Sequence, residues 1–159
     1  MTKKSKAEYE TERELIFSRW RRLCMGRRTL GNLVKFHTQH KYQILAHSPK
    51  IYRDLGRLVA RGKELPEEEL FPKYRQLLTQ AMDSPTSHGK HLNVLQHMAG
   101  YFRSHLSEAE RQTLRGALEA YRDEKVSLSD PLNLIHWLAQ RHELGYLTQQ
   151  TYLSNVFSG

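Results

Sequence analysis

The stretch Phe36-His37-Thr38-Gln39-His40-Lys41-Tyr42-Gln43-Ile44-Leu45-Ala46-His47-Ser48-Pro49 decides how the rest of the chain is read. It holds three of the nine histidines and ends in a helix-break signal. Ser48 can cap a helix whose first residue is Pro49, because proline lacks the N–H that a first turn leaves unbonded anyway. The helix before it then stops at His47, since the residue ahead of proline avoids the helical region. Upstream, Thr29 can cap that preceding helix, which predicts a span of 30–47. A second stretch answers the first: His88-Gly89-Lys90-His91-Leu92-Asn93-Val94-Leu95-Gln96-His97-Met98-Ala99-Gly100-Tyr101-Phe102. The expectation is that the other helices hold these two against each other, with His37, His40, His47, Asn93, His97 and Tyr101 meeting in one cleft.

Outward from these stretches the pattern stays helical. Residues 7–24 place Leu15, Ile16, Trp20 and Leu23 at three- and four-residue spacing, with Gly26 as the stop. The third helix is predicted over 49–61 and the fourth over 65–82, with Pro72 forcing a turn or kink. Asp83–Ser87 reads as a loop and hinge. A fifth helix is expected over 88–105. Ser107-Glu108-Ala109-Glu110 is a capping box opening a sixth to about residue 124. Asp130-Pro131 opens another, stopped by Gly145, and Thr148 can cap a last short helix holding Tyr152, Leu153 and Phe157. No strand alternation of useful length and no internal repeat occurs. The fold class is therefore all-α: a single compact domain of six to seven helices over 7–159, behind a disordered tail over 1–6.

At 159 residues and 38% hydrophobic content the chain can bury one modest core, and its mean hydropathy of −0.71 implies a wet surface. No apolar run reaches the ~20 residues of a membrane helix, and no apolar segment follows the N-terminal lysines. Cys24 stands alone, so no intrachain disulfide and no thiolate cluster can form. A cytoplasmic location follows as the simplest expectation. The formal charge of +8 is unevenly spread: residues 1–41 carry 11 Lys/Arg against 4 Asp/Glu, and the remainder 14 against 13. Such a basic end suits an anionic partner, of which nucleic acid is the commonest; the alternative is a solvated basic helix.

Histidine spacing invites a metal reading, since His37/His40 and His88/His91 are each i,i+3. Yet neither stretch contains a carboxylate, and no His-Glu-x-x-His motif occurs, so no metal and no cofactor is expected. His37 can equally be a core histidine bonded to a carbonyl. Cys24 has no neighbouring base in sequence, and no glycine-rich phosphate loop is present. A nucleic-acid reading uses more of the residues. Arg19, Arg21, Arg22, Arg27, Arg28, Lys35, Lys41 and Lys90 can meet phosphates; His37, His40, His47, His91, His97 and Tyr101 can stack or bond, and Asn93 can read a base edge.

Phe36-His37-x-x-His40-Lys41 leading to Ala46-His47-Ser48, then Tyr52-x-x-Leu55-Gly56, and later His91-x-Asn93-Val94-Leu95-x-His97-x-x-Gly100-Tyr101-Phe102, resemble the YbgA-like family, a domain of unknown function. Weaker agreement runs through Tyr121-Arg122 and Pro131-Leu132 to Tyr152, so the resemblance covers about 15–153. Members of that family stand alone or are fused behind a TudS-type desulfidase, whose cysteines hold an iron–sulfur cluster that removes sulfur from thiouracil-containing substrates, 4-thiouridine in tRNA among them. Some stand-alone members adjoin photolyase genes. The resemblance implies an auxiliary, tRNA-engaging role, working with a separate TudS-type desulfidase, and it transfers no catalytic residue. The expectation is a non-catalytic RNA-binding module, with tRNA as the partner and no membrane. Two alternatives stay open: an enzyme or small-molecule or metal binder using the His-rich cleft, and a DNA-repair accessory protein.

Overall fold

Helix caps decide where each element starts. In the computed structural model, which describes residues 5–155, every described element is helical. The elements are α1 Lys6–Met25, α2 Leu30–His47, α3 Pro49–Ala60, α4 Glu67–Asp83, α5 His88–Phe102, α6 Glu108–Arg122, α7 Ser129–Arg141, α8 Gly145–Thr148 and α9 Thr151–Asn155, with a 3-10 turn at Gly62–Glu64. Thr29 accepts from the Asn32 N–H and Ser48 from the Ile51 N–H, so α2 and α3 meet at the corner that Pro49 enforces. Ser107 and Glu110 exchange both bonds of a capping box at the head of α6.

The all-α expectation holds, and its details change. Nine α-helices stand among the described residues, against six to seven expected; α8, with 4 residues, is too short for a 3.6-residue period to register, while α9, with 5, falls where the last short helix holding Tyr152 and Leu153 was expected. Ser5 and Lys6 do not belong to a disordered tail: Ser5 caps α1 through a box with Glu8. The other four tail residues, and Phe157, lie outside the described residues. Pro72 does not break α4, which runs through it and leaves the Glu68 carbonyl without its usual helical N–H.

The chain was expected to form one domain; its contacts instead group into two compact units, Thr2–Pro85 and Thr86–Gly159, dividing inside the predicted hinge loop. In the first, α2 packs on α1, α3 and α4, and α3 packs on α4. Its core joins Ile16, Trp20, Leu33, Phe36, Leu55, Tyr74 and Leu78. Trp20 is the hub, stacked on Tyr74 (5.3 Å between centroids, planes 9° apart) and edge-on to Phe36 (5.4 Å). In the second unit α5, α6 and α7 pack pairwise and α8 lies on α7. Leu95, Met98, Phe102, Tyr121, Leu132 and Ile135 are buried there. No helix among the described residues is long and apolar enough to cross a membrane.

Candidate nucleic-acid interface

α1 carries Phe17, Trp20, Arg21 and Cys24 at spacings of three, four and seven residues, which places them on one helical face. Across from them α4 presents Phe71, Pro72 and Arg75, and Arg28 reaches in from the α1–α2 connection. These residues line a groove of about 370 Å³ inside the first unit. Trp20 and Phe71 are almost wholly buried and form its floor, their rings 5.8 Å apart. Phe17 is half-buried and carries the Arg13 guanidinium 5.2 Å from its ring centroid. Arg28 donates to the Cys24 carbonyl (3.2 Å) and pairs with Glu67 (3.4 Å). Arg21 and Arg75 are exposed, and neither has a carboxylate partner among the described residues. Arg22 and Arg27, adjacent in the chain, are also exposed and equally unpaired by carboxylates there. The groove therefore sets a strongly cationic rim on an aromatic floor.

The Cys24 thiol is held in its protonated form by its setting. Burial raises its pKa, and Glu67 adds to that; Arg28 and Arg75 oppose with less effect. Arg19 departs from the expected patch. It is half-buried, its Nη1 is sealed from solvent without a hydrogen-bond partner among the described residues, and burial followed by the Arg22 charge lowers its pKa.

The histidines of the first stretch turn inward. His37 Nδ1 lies 2.9 Å from the Tyr74 hydroxyl, and burial, then the Lys41 charge, lowers its pKa to about 4. His40 is 1% exposed, donates from Nδ1 to the Phe36 carbonyl (2.7 Å) and stacks on the Phe36 ring (4.1 Å). Its pKa is also about 4, chiefly through burial, with Arg19 and His37 adding to the fall and the Phe36 carbonyl opposing it. His47 donates from Nδ1 to the Ser84 carbonyl (2.7 Å), while its Nε2 meets the Glu12 carboxylate (2.9 Å), which Gln43 also bonds (3.1 Å). These three rings thus bond in three separate places rather than lining one cavity.

Lys35 is exposed on α2 and Lys41 half-buried. In the second unit His91 is buried against the Tyr152 hydroxyl (2.6 Å), and Lys90 and Asn93 are half-buried. His97 and Tyr101 are exposed; Tyr101 stacks on Tyr146 (4.8 Å) and lies near His105 (6.0 Å). The six residues expected in one cleft are thus divided between the units, three in each. His40, His47 and His91 are buried, unlike the exposed His97 and Tyr101. Among the described residues no group of three His, Cys, Asp or Glu side chains is placed to hold a metal ion.

Sequence reasoning missed Arg75, Phe71 and Pro72 as partners of Arg21. The sequence marks Pro72 only as a turn or kink, and which faces of α1 and α4 meet depends on helix register.

The family described as "Protein of unknown function (DUF1722)" matches residues 41–156. The second histidine motif falls inside that span; of the first, Phe36–His40 precedes it. The chain is also similar to the "Uncharacterized protein YbgA" of Escherichia coli (strain K12), 34% identical over 125 residues, or 78% of this chain and 74% of the relative. No solved structure matches the chain.

Proposed function

The chain belongs to the YbgA-like DUF1722 family, and for this member we propose a non-catalytic role in binding RNA through the α1–α4 groove. The observation that carries the reading is the pairing of unpaired arginines with aromatic rings. Arg21 and Arg75 rim a groove floored by Trp20 and Phe71, with Phe17 half-open beside them. Guanidinium groups neutralise phosphates, and an open ring accepts an unstacked base. Since the family resemblance points to tRNA, tRNA is the RNA class proposed, with a separate TudS-type desulfidase as the enzyme served.

The test is fluorescence anisotropy of a labelled tRNA transcript against a DNA duplex of similar length. Four cations without carboxylate partners (Arg21, Arg22, Arg27 and Arg75) can each release a counterion. At a slope of about 0.7 to 0.9 per phosphate, affinity falls roughly 50- to 150-fold between about 50 and 200 mM salt. Replacing Arg21, Arg27 and Arg75 by Gln leaves one such contact and a fall of only about 3-fold. Weak, salt-insensitive RNA binding by the wild type, or an unchanged slope in the variant, refutes the proposal. Tighter binding to the DNA duplex favours the DNA-repair reading.

A further inference from the structure

α5 and α6 form an antiparallel hairpin held at both ends. At the turn, the Arg111 guanidinium donates to the Arg103 carbonyl (3.2 Å); at the open end, the His88 ring Nε2 donates to the Arg122 carbonyl (3.2 Å). Between the pins lies a second groove of about 370 Å³. Leu92, Ala99, Leu106, Leu114 and Leu118 form its floor. Leu95, Met98 and Phe102 on α5 are fully buried, while Leu92 and Ala99 are only half-buried, as is Leu118 on α6. α5 is thus apolar over more of its circumference than its own unit covers.

The walls of this groove are charged. Arg103 stands on the α5 side and Arg115 on the α6 side; neither has a carboxylate within ion-pair distance among the described residues, and Arg115 acts on Glu108 only at longer range. Arg111 pairs with Glu108 (3.0 Å) and Arg122 with Asp123 (3.1 Å). Glu119 also faces the groove. Three acids therefore oppose four arginines, and no aromatic ring lies on the floor. With no ring to stack on, that is poor ground for unstacked bases, in contrast to the α1–α4 groove. The floor between two antiparallel helices is shaped for the ridge of a third. From Leu92 to Arg103 it runs about 16 Å along α5, or three helical turns.

We infer that the α5–α6 groove docks an acidic amphipathic helix of a partner protein. Its apolar side chains, three or four residues apart, fill the leucine floor, and carboxylates on its two flanks pair with Arg103 and Arg115. This surface is separate from the RNA reading, and its residues take no part there.

The test uses the full chain with its leucine methyl groups labelled for NMR. The probe is a fifteen-residue peptide with leucines at helical spacing flanked by glutamates; its control carries lysine for each glutamate. The expected result is saturable binding of the acidic peptide at or below about 100 μM. Methyl shifts should be confined to Leu92, Leu106, Leu114 and Leu118. Arg103→Glu with Arg115→Glu should weaken the acidic peptide at least tenfold and let the lysine peptide bind. Leu118→Glu, which leaves the arginines in place, should also abolish binding. Circular dichroism reports folding for each variant. The inference is overturned by absence of binding up to about 1 mM, by shifts elsewhere, or by indifference to charge reversal. It is overturned too if the tRNA probe moves these methyls and loses affinity in the charge-reversed variant, because the face would then be a nucleic-acid surface.

Discussion

His47→Ala is the substitution that most directly asks whether the histidine-rich stretch is a scaffold. The imidazole is 1% exposed and the Glu12 side chain beside it 9%. One proton lies between them across 2.9 Å, and the other ring nitrogen is spent on the Ser84 carbonyl. Three segments meet there: α1 through Glu12, α2 through Gln43 and His47, and the end of α4 through Ser84. Removing the imidazole leaves the buried Glu12 carboxyl short of a hydrogen-bond partner, which costs about 1–3 kcal/mol. The Ser84 carbonyl loses its donor in the same change, so the upper end, about 3 kcal/mol, applies. For a chain of this size that is a fall of about 10 °C in melting temperature. Far-UV circular dichroism during heating reads it. Glu12→Gln added to His47→Ala should recover part of the loss, since no buried carboxylate is then left. RNA affinity measured well below the melting point should be unchanged. A drop under about 2 °C in the single variant, or lost RNA binding with an unaltered melt, refutes the scaffold role.

Histidine burial also fixes a pH response. His37 and His40 have folded values near 4, below the ordinary 6.5, so the unfolded chain takes up protons first. Their contribution to stability is complete above about pH 6.5 and is lost as pH falls toward about 4. The limit is about 1.4 kcal/mol per pH unit per histidine. Urea midpoints measured across that window should show the slope, and His40→Gln should flatten it. RNA affinity should not tighten between about pH 8 and 6 through these rings, contrary to what exposed imidazoles would give. Glu143 follows α7 in the left-handed region at φ 53°, a conformation that glycine adopts freely. Glu143→Gly should raise stability by about 0.5–1 kcal/mol, seen as a melting rise of about 2–4 °C, and no change would mean that the turn carries no strain.

What the sequence disclosed was local chemistry. Thr29, the Ser48-Pro49 pair and the Ser107/Glu110 box each act within four residues, so their helices could be placed to a residue or two. Exposure was less legible. The period that set Phe36, His40 and His47 on one stripe gives a shared face but not what covers it, and the structure turns those rings inward. Arg21 and Arg75 are 54 positions apart in the chain, and only the register of α1 against α4 brings them to one groove. The division within the Asp83–Ser87 loop was marked by its proline and serines as a flexible joint, but not as the boundary between two compact units.

That division has a bearing on how the protein is made. Every residue of the Trp20-centred core precedes position 83, so the ribosome has finished it before starting on α5. The remaining 74 residues, 86–159, take about 4 to 15 seconds to synthesise at typical speeds. Helical packing of this kind completes in microseconds to milliseconds. The nascent first unit therefore has time to close its aromatic cluster and seat Glu12 against His47 while the second is still being translated. Its arginine-rimmed groove, formed wholly from that early segment, is assembled at the same stage.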